Sequence, residues 1–137
     1  AVCDFRKLCG LETYAVTDGV AELTARTNDE GLHTVFTGWL RTSRLSSRDA
    51  VMVFSVGGGQ AEVSACIYEA VQLAKQVGAR VLGVVGRSDG ITARVGDAVV
   101  IAGELGDLLT PVTESLQVAV LHALVSDPRL KTGRTKW

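Results

Sequence analysis

The stretch that decides the fold class is Asp49-Ala-Val-Met-Val-Phe-Ser-Val-Gly-Gly-Gly-Gln-Ala-Glu-Val-Ser64. Residues 50–54 form a short apolar run rich in β-formers, which is typical of a buried strand. Three glycines follow. From Ala65 the apolar residues recur at helical spacing as far as Val77, and Gly78 supplies the stop. A strand, a glycine loop and a helix in this order are typical of an anion site at the carboxyl ends of the strands of an open α/β sheet.

The glycine loop matches neither of two common nucleotide motifs. No Lys-Ser or Lys-Thr pair follows the glycines, as a P-loop requires, and Glu62 stands where a dinucleotide-binding motif has its last glycine. We therefore expect a phosphate-type ligand and no nucleotide cofactor, with an ordinary turn and a serine helix cap as the alternative. The predicted phosphate-binding residues are Ser55, Gly57, Gly58, Gly59 and Ser64, the last also placed to cap the helix.

Length and composition indicate one soluble domain. The chain has 137 residues, 47% of them hydrophobic and 21% charged, and its net charge is −1, which excludes a strongly basic nucleic-acid-binding surface. Three cysteines without C-x-x-C spacing predict free thiols in a reducing compartment. No apolar run approaches the length of a membrane span and no signal peptide is recognisable, so we predict a cytoplasmic protein without a membrane partner.

The rest of the chain alternates between helix and strand patterns. Helices are predicted at residues 1–8, 20–27, 31–42, 91–95 and from an N-cap at Thr110 to Ser126, and strands at 13–16, 80–85 and 98–102. The basic tail after Arg129 is expected to be loosely held. Because the central strands are apolar throughout, we predict a Rossmann-like three-layer α/β/α sandwich with a parallel sheet. Arg87 and Asp89 follow the second central strand at the ligand edge, where a plain turn explains them equally well.

Several segments resemble the SIS (sugar isomerase) domain family, and within it the phosphoheptose isomerase branch. They are Leu23-Thr-Ala-Arg-Thr-Asn28-Asp29-Glu-Gly31, Val53-Phe-Ser-Val-Gly-Gly-Gly59, Leu82-Gly-Val-Val-Gly-Arg87, Thr110-Pro-Val-Thr-Glu114-Ser-Leu-Gln, Ser126-Asp-Pro-Arg-Leu-Lys and Thr135-Lys-Trp137. The resemblance implies one SIS domain over residues 1–137, equivalent to the C-terminal two-thirds of the family's usual length. The family's first strand and its Gly-Asn-Gly-Gly-Ser loop would precede Ala1, and we expect the natural start to lie upstream.

The resemblance also assigns roles around the glycine loop. In the family a Ser-Thr-Ser-Gly-Asn-Ser loop holds the substrate phosphate. Ser55 corresponds to its first serine and Ser64 to its last, while Val56 and Gly57 occupy middle positions of a longer loop. Backbone amides would therefore take a larger share of the phosphate. The pair Asn28-Asp29 falls on a family Asn-Asp pair that contacts the sugar, although a helix C-cap is an equally good interpretation of these residues.

Three further residues are implied as the catalytic and metal-binding group. Glu114 and His122 are eight residues apart and so lie roughly on one helix face. They align with a family Gln and His, and Asp4 aligns with a family Glu; these contact metal and substrate, and the His and Glu are candidate acid/base groups. Carboxylates and imidazole suit Zn²⁺, which the resemblance implies as a cofactor. A helix histidine packed at an oligomer interface is the alternative for His122.

Together these features predict a phosphosugar isomerase, acting on sedoheptulose 7-phosphate or a related sugar phosphate. Aldose–ketose isomerisation needs a base beside the carbonyl and an acid that moves protons between two oxygens, and the implied residues supply both types. The alternative is a non-catalytic SIS module that binds a sugar phosphate or a protein partner in a regulatory role. The resemblance also implies a homo-oligomer, a dimer or tetramer, with its sites at subunit interfaces.

Overall fold

A three-stranded parallel sheet forms the centre of the computed structural model, which describes residues 1–134. The strands lie side by side in chain order: β1 (Ala50–Ser55), β2 (Arg80–Val85) and β3 (Ala98–Ile101). Ser55 pairs with Val85, and Val85 with Ile101. The carboxyl ends of the three strands therefore form one edge of the sheet, called here the carboxyl edge, and the opposite side is the amino edge. The segment Thr135-Lys-Trp137, one of those that carry the resemblance, lies outside the described residues.

Helices cover both faces of this sheet. They are α1 (Val2–Cys9), α2 (Val20–Glu30), α3 (Val35–Thr42), α4 (Ala65–Gln76), α5 (Ile91–Val95) and α6 (Leu109–Ser126). Short 3-10 turns, Leu32–Thr34 and Gly106–Leu108, lead into α3 and α6. Helices α3, α4 and α5 lie on one face, and α1 and α6 on the other. The predicted three-layer α/β/α sandwich is confirmed.

Alternating side chains of β1 divide the interior into two cores. Val53 packs with Val71 of α4 and Ile91 of α5 on one face of the sheet. Phe54, the next residue, packs with Leu121 of α6 on the other face. Successive side chains of a strand point to opposite faces, so an apolar strand is stabilised by burial on both sides.

The strand predicted at residues 13–16 is wrong. The described chain forms no β pairing there and passes through coil into a turn. Side-chain contacts hold the segment instead: the Tyr14 ring lies 6.4 Å from the Trp39 ring, and the Arg6 guanidinium lies 5.4 Å from the Tyr14 ring centre. Val16 packs against the core cluster that contains Leu40. These contacts join the segment to α1 and α3 without a backbone ladder.

The start of the last helix also differs from the prediction. Helix α6 begins at Leu109, after the 3-10 turn, so Thr110 is not its N-cap. Thr110 and Pro111 lie within the first turn, where backbone amides have no intrahelical partner and the missing N–H of proline removes no hydrogen bond. The end of the helix at Ser126, before Pro128, agrees with the prediction.

The segment Gly106–Ser126 is long and apolar enough, by length and composition, to cross a membrane, with a hydropathy of 1.4. This corrects the expectation that no apolar run approaches that length. In the structure the segment is a layer of the sandwich, where Leu121 and Val125 are buried. The side-chain amide of Gln117 also donates a hydrogen bond to the Val84 carbonyl at 3.0 Å. Only 17% of its most apolar stretch is buried, so much apolar surface stays exposed.

The last described residues return to the end of α1. The backbone amides of Thr132 and Gly133 both donate to the Leu8 carbonyl, at 2.8 Å each. Gly133 packs so closely that a Cβ there would stand 2.6 Å from the Lys7 carbonyl oxygen. The expectation of a loosely held tail after Arg129 is therefore wrong for residues 130–133.

Asp97 fastens the amino edge of the sheet. Its carboxylate accepts hydrogen bonds from the Val81 amide at 2.8 Å, from Arg80 Nη1 at 2.9 Å and from Lys75 Nζ at 3.1 Å. These bonds hold the pKa of Asp97 well below its usual range, and the bond from the Val81 amide contributes most to the shift. One carboxylate thus joins α4, β2 and the start of β3.

We expect Asp97→Asn to lower the free energy of unfolding at neutral pH. Because the pKa of Asp97 is lower in the folded chain than in the unfolded chain, its ionised form stabilises the fold above about pH 4, and this contribution is lost as the pH falls further. The gap between wild type and variant should therefore close in acid. Urea unfolding over a pH series measures it, with Asp107→Asn, an exposed carboxylate, as the control. A gap that stays constant with pH would contradict the assignment.

Candidate functional site

The loop between β1 and α4, residues 56–64 and called here the glycine loop, lies at the carboxyl edge. Gly58 and Gly59 have φ angles of +68° and +82°, a backbone conformation that residues with a side chain rarely adopt. Their carbonyls accept hydrogen bonds from the Thr92 amide at 3.0 Å and the Ile91 amide at 2.9 Å. The glycine loop is therefore docked onto the first turn of α5.

The loop that follows β2, residues 86–90, packs against the glycine loop. A Cβ on Gly90 would stand 2.3 Å from the Gly57 carbonyl oxygen, so no side chain fits there. The backbone amides of Gly86 and Arg87 donate to the Val56 carbonyl at 2.9 and 3.1 Å. The two loops thus form one unit held by direct backbone contacts, and sequence reasoning missed the part that Gly90 plays in it.

Gly57 differs from the two glycines that follow it. Its φ lies outside the left-handed region, and a Cβ there would meet no atom within 4 Å. Its amide donates to no acceptor in the part of the chain that the structure describes. Packing therefore does not require glycine at this position. Because glycine has no side chain, the free amide of Gly57 lies beside open space.

The two predicted serines lie at either end of the glycine loop. The Ser55 hydroxyl oxygen accepts a hydrogen bond from the Gly58 amide at 3.1 Å, which leaves its own proton available to a ligand. Ser64 stands at the N-cap position of α4, as predicted, but its side chain makes no capping hydrogen bond. Its carbonyl instead accepts from the Ile67 and Tyr68 amides. The first turn of α4 therefore keeps its amides free of a side-chain cap, as anion sites at helix N-termini do.

The pair Asn28-Asp29 lies on the last turn of α2, with both side chains exposed. The Asn28 amide donates to the Asp29 carboxylate at 3.0 Å. The helix continues to Glu30 and ends at Gly31, whose φ is +87°, so the alternative of a helix C-cap at Asn28 is wrong. The structure thus leaves the two side chains bonded to each other at the surface and not to the glycine loop.

The three predicted catalytic residues lie on α1 and α6, on the opposite face of the sheet from α4. Asp4 is 3.7 Å from the amino group of Ala1, and both Glu114 and His122 are exposed. Eight residues of helix separate the last two by about 12 Å along the axis. No group of three His, Cys, Asp or Glu side chains among residues 1–134 is placed to hold a metal ion. These residues alone do not fit zinc, and the metal set stays a prediction.

Helix α6 begins near the carboxyl edge. The hydroxyl oxygen of Thr113, which is fully buried, lies 2.7 Å from the position of a Cβ on Gly86. One turn later Gln117 bonds to a carbonyl inside β2, so the helix runs antiparallel to the strands. Glu114 therefore lies near the loop that follows β2, whereas His122 lies two turns farther from it.

A charged pair outside the predicted site residues lies at the same edge. The Arg87 guanidinium donates two hydrogen bonds to the Asp89 carboxylate, at 2.9 Å from Nε and 2.7 Å from Nη2. This contact lowers the pKa of Asp89 and raises that of Arg87. The position of Arg87, two residues after the apolar strand β2, is the sequence signal that singles out this pair.

Two solved structures share this arrangement of sheet, loops and helices. Phosphoheptose isomerase GmhA from Neisseria gonorrhoeae superposes with a TM-score of 0.75 at 23% identity, over 90% of this chain and 65% of that chain. The chain has the phosphoheptose isomerase fold. A phosphoheptose isomerase from Francisella tularensis gives a TM-score of 0.70 at 20% identity, over 90% of this chain and 64% of the other.

A sequence relative is the lincomycin biosynthesis protein LmbN of Streptomyces lincolnensis. It is 34% identical over an alignment of 121 positions, which covers 83% of this chain and 42% of that protein. No protein-family profile matches the chain. The chain thus spans less than half of LmbN and just under two-thirds of each phosphoheptose isomerase.

We expect Gly90→Ala to lower the free energy of unfolding by about 1–3 kcal/mol, the usual cost of overpacking, because the new methyl group must displace the backbone of the glycine loop. Gly57→Ala is the matched control: it adds the same methyl group where there is room, and its effect should stay within about 0.5 kcal/mol. Urea unfolding of both variants gives the comparison. Equal stabilities would show that the two loops are not packed as described.

Proposed function

We propose that this chain is the phosphate-binding part of a phosphosugar isomerase, which interconverts aldose and ketose forms of sedoheptulose 7-phosphate or a related sugar phosphate. The observation that carries the proposal is the free amide and open space at Gly57, in a loop whose next two glycines are fixed by backbone conformation. The solved proteins that share the fold are phosphoheptose isomerases, which supports this class of substrate.

The phosphate would be held by donors at both ends of the glycine loop. The Ser55 hydroxyl, the Gly57 amide and the uncapped first turn of α4 with Ser64 supply these donors. The N-terminus of a helix also carries partial positive charge, which favours an anion. Because Val56 and Gly57 bring no hydroxyl, backbone amides would carry much of the contact.

Isomerisation would be performed by residues of α1 and α6, the helices on the other face of the sheet. It requires a group that removes a proton beside the carbonyl and one that returns it to a neighbouring carbon or oxygen. Imidazole exchanges protons near neutral pH, so His122 is the proposed acid/base, with Glu114 and Asp4 as the carboxylates. Asn28-Asp29 would orient the sugar. We derive no step through zinc, because the donors among residues 1–134 do not gather at one point.

A second copy of the chain would complete this site. Apolar side chains at the end of β3 and along α6 are exposed, a pattern that monomers rarely tolerate over a large area. They are Val100, Ile101, Leu108, Val112, Val118 and Leu124. We therefore propose a cytoplasmic dimer or tetramer in which His122 serves a subunit interface; light scattering of the purified chain measures its size.

A second candidate is a non-catalytic module that binds a sugar phosphate or a protein partner in a regulatory role. Two features favour it: the missing hydroxyls at Val56 and Gly57, and the separation of Glu114 from His122 along α6. Such a module would bind the phosphorylated sugar and leave it unchanged.

Ligand-dependent unfolding tests the phosphate site. We expect the melting temperature to rise with sedoheptulose 7-phosphate and not with sedoheptulose, because a ligand that binds only the folded chain stabilises it by mass action. Ser64→Ala should weaken the affinity by roughly ten-fold, the value of a hydrogen bond to a charged group. Its hydroxyl makes no helix cap, so the variant should fold normally. Ser47→Ala, an exposed serine before β1, is the control. No rise with the phosphorylated sugar would reject the proposed site.

Substitution of the two histidines tests the chemistry. His122→Ala should reduce isomerisation by about 10²–10⁴-fold, as loss of an acid/base group does, and leave the phosphate-induced stabilisation intact. His33→Ala, which removes the chain's other histidine from a 3-10 turn, should keep full turnover. Aldose and ketose products are quantified by chromatography. Full turnover in the His122 variant would remove its catalytic role, and stabilisation without turnover in wild type would favour the module.

A further inference from the structure

We propose that Arg87 provides the positive charge for the bound phosphate, and that the phosphate takes the place of the Asp89 carboxylate on its guanidinium. The empty site would hold Arg87 on Asp89, and the occupied site would hold it on the ligand. This inference rests on the proposed phosphate site and adds to it a residue that determines the preference for phosphorylated sugars.

Arg87 is joined directly to the glycine loop. Its amide donates to the carbonyl of Val56, the residue that lies between Ser55 and Gly57. The loop that follows β2 also carries Gly90, which packs against the backbone of Gly57. The side chain of Arg87 therefore starts beside the backbone donors that face the open space.

The guanidinium is held by a contact that a ligand can replace. It bonds to Asp89 through Nε and Nη2, and Nη1 has no partner in the described part of the chain. Both side chains are 52% exposed, and ion pairs between exposed groups contribute little to stability. A phosphate offers the guanidinium the same paired oxygens as a carboxylate does. Exchange of one for the other would disturb no buried contact.

The charges at the carboxyl edge favour a role for Arg87 in phosphate binding. Within residues 55–64 and 86–90, Arg87 is the cation, while Glu62 and Asp89 are anions. A phosphate dianion placed there without Arg87 would meet net negative charge and a loop that lacks hydroxyls at Val56 and Gly57.

Affinities of four proteins for inorganic phosphate and sedoheptulose 7-phosphate test the inference by titration calorimetry at low and high sodium chloride. We expect Arg87→Gln to weaken binding by about ten-fold and to reduce its salt dependence, since a charge-assisted contact is lost. Asp89→Asn should tighten binding several-fold by releasing the guanidinium. Arg80→Gln is the control: it removes the same charge from the start of β2 at the amino edge, where Asp97 keeps Lys75 and the Val81 amide.

Three results would contradict the role of Arg87, the exchange with Asp89 or the phosphate site. If Arg87→Gln binds both probes as wild type does, the inference is overturned while the phosphate site stands. If Asp89→Asn weakens binding, the carboxylate is not a competitor and the exchange is overturned. If wild type binds neither probe, the proposed phosphate site and the inference are both rejected. Ligand-free unfolding of each variant, whose changes are at exposed side chains, establishes that it is folded.

Discussion

The contact between Gly90 and the backbone of the glycine loop is the constraint on which the rest of the structure depends. It brings the connections after β1 and β2 within direct backbone contact, with no room for a Cβ between them. That contact aligns the glycine loop with the start of α5, whose first amides bond to Gly58 and Gly59. It thereby sets the position of the backbone at Ser55, Gly57 and Arg87. The carboxyl edge acts as one rigid surface, and its polar groups are presented from that surface.

The sheet separates the two groups of residues for which a function is proposed. The proposed phosphate donors lie in the β1–α4 connection, while His122 lies on α6, two turns beyond the part of that helix nearest the carboxyl edge. Because α6 is exposed along much of its length, its outward residues are open to another molecule. The proposed proton transfer by His122 would therefore depend on assembly, whereas the proposed phosphate binding would not.

Local signals made much of this fold predictable, and non-local contacts account for the failures. An apolar run and a glycine stop were enough to place β2 at Arg80–Val85 and α5 at Ile91–Val95. Residues 13–16 carry an equally β-like pattern, but a strand exists only where a partner pairs with it, and here Tyr14 and its neighbours pack by side chains. The spacing of the glycine loop predicts a connection between a strand and a helix at the carboxyl edge, and the structure has it there. The contact of Gly90 with this loop was not predictable, because it arises only when two distant loops meet.

The contact between Leu8 and residues 132–133 has a consequence for the order of folding. Thr132 and Gly133 both donate to the carbonyl of Leu8, which is more than 120 residues away along the chain. Phe5 and Leu8 also pack with Leu121 of α6. Contacts between residues so far apart in sequence form late, because a long loop must close before they are made. Helix α1 therefore leaves the ribosome before every strand of the sheet, yet it can dock only after α6 and the segment that follows it have been made.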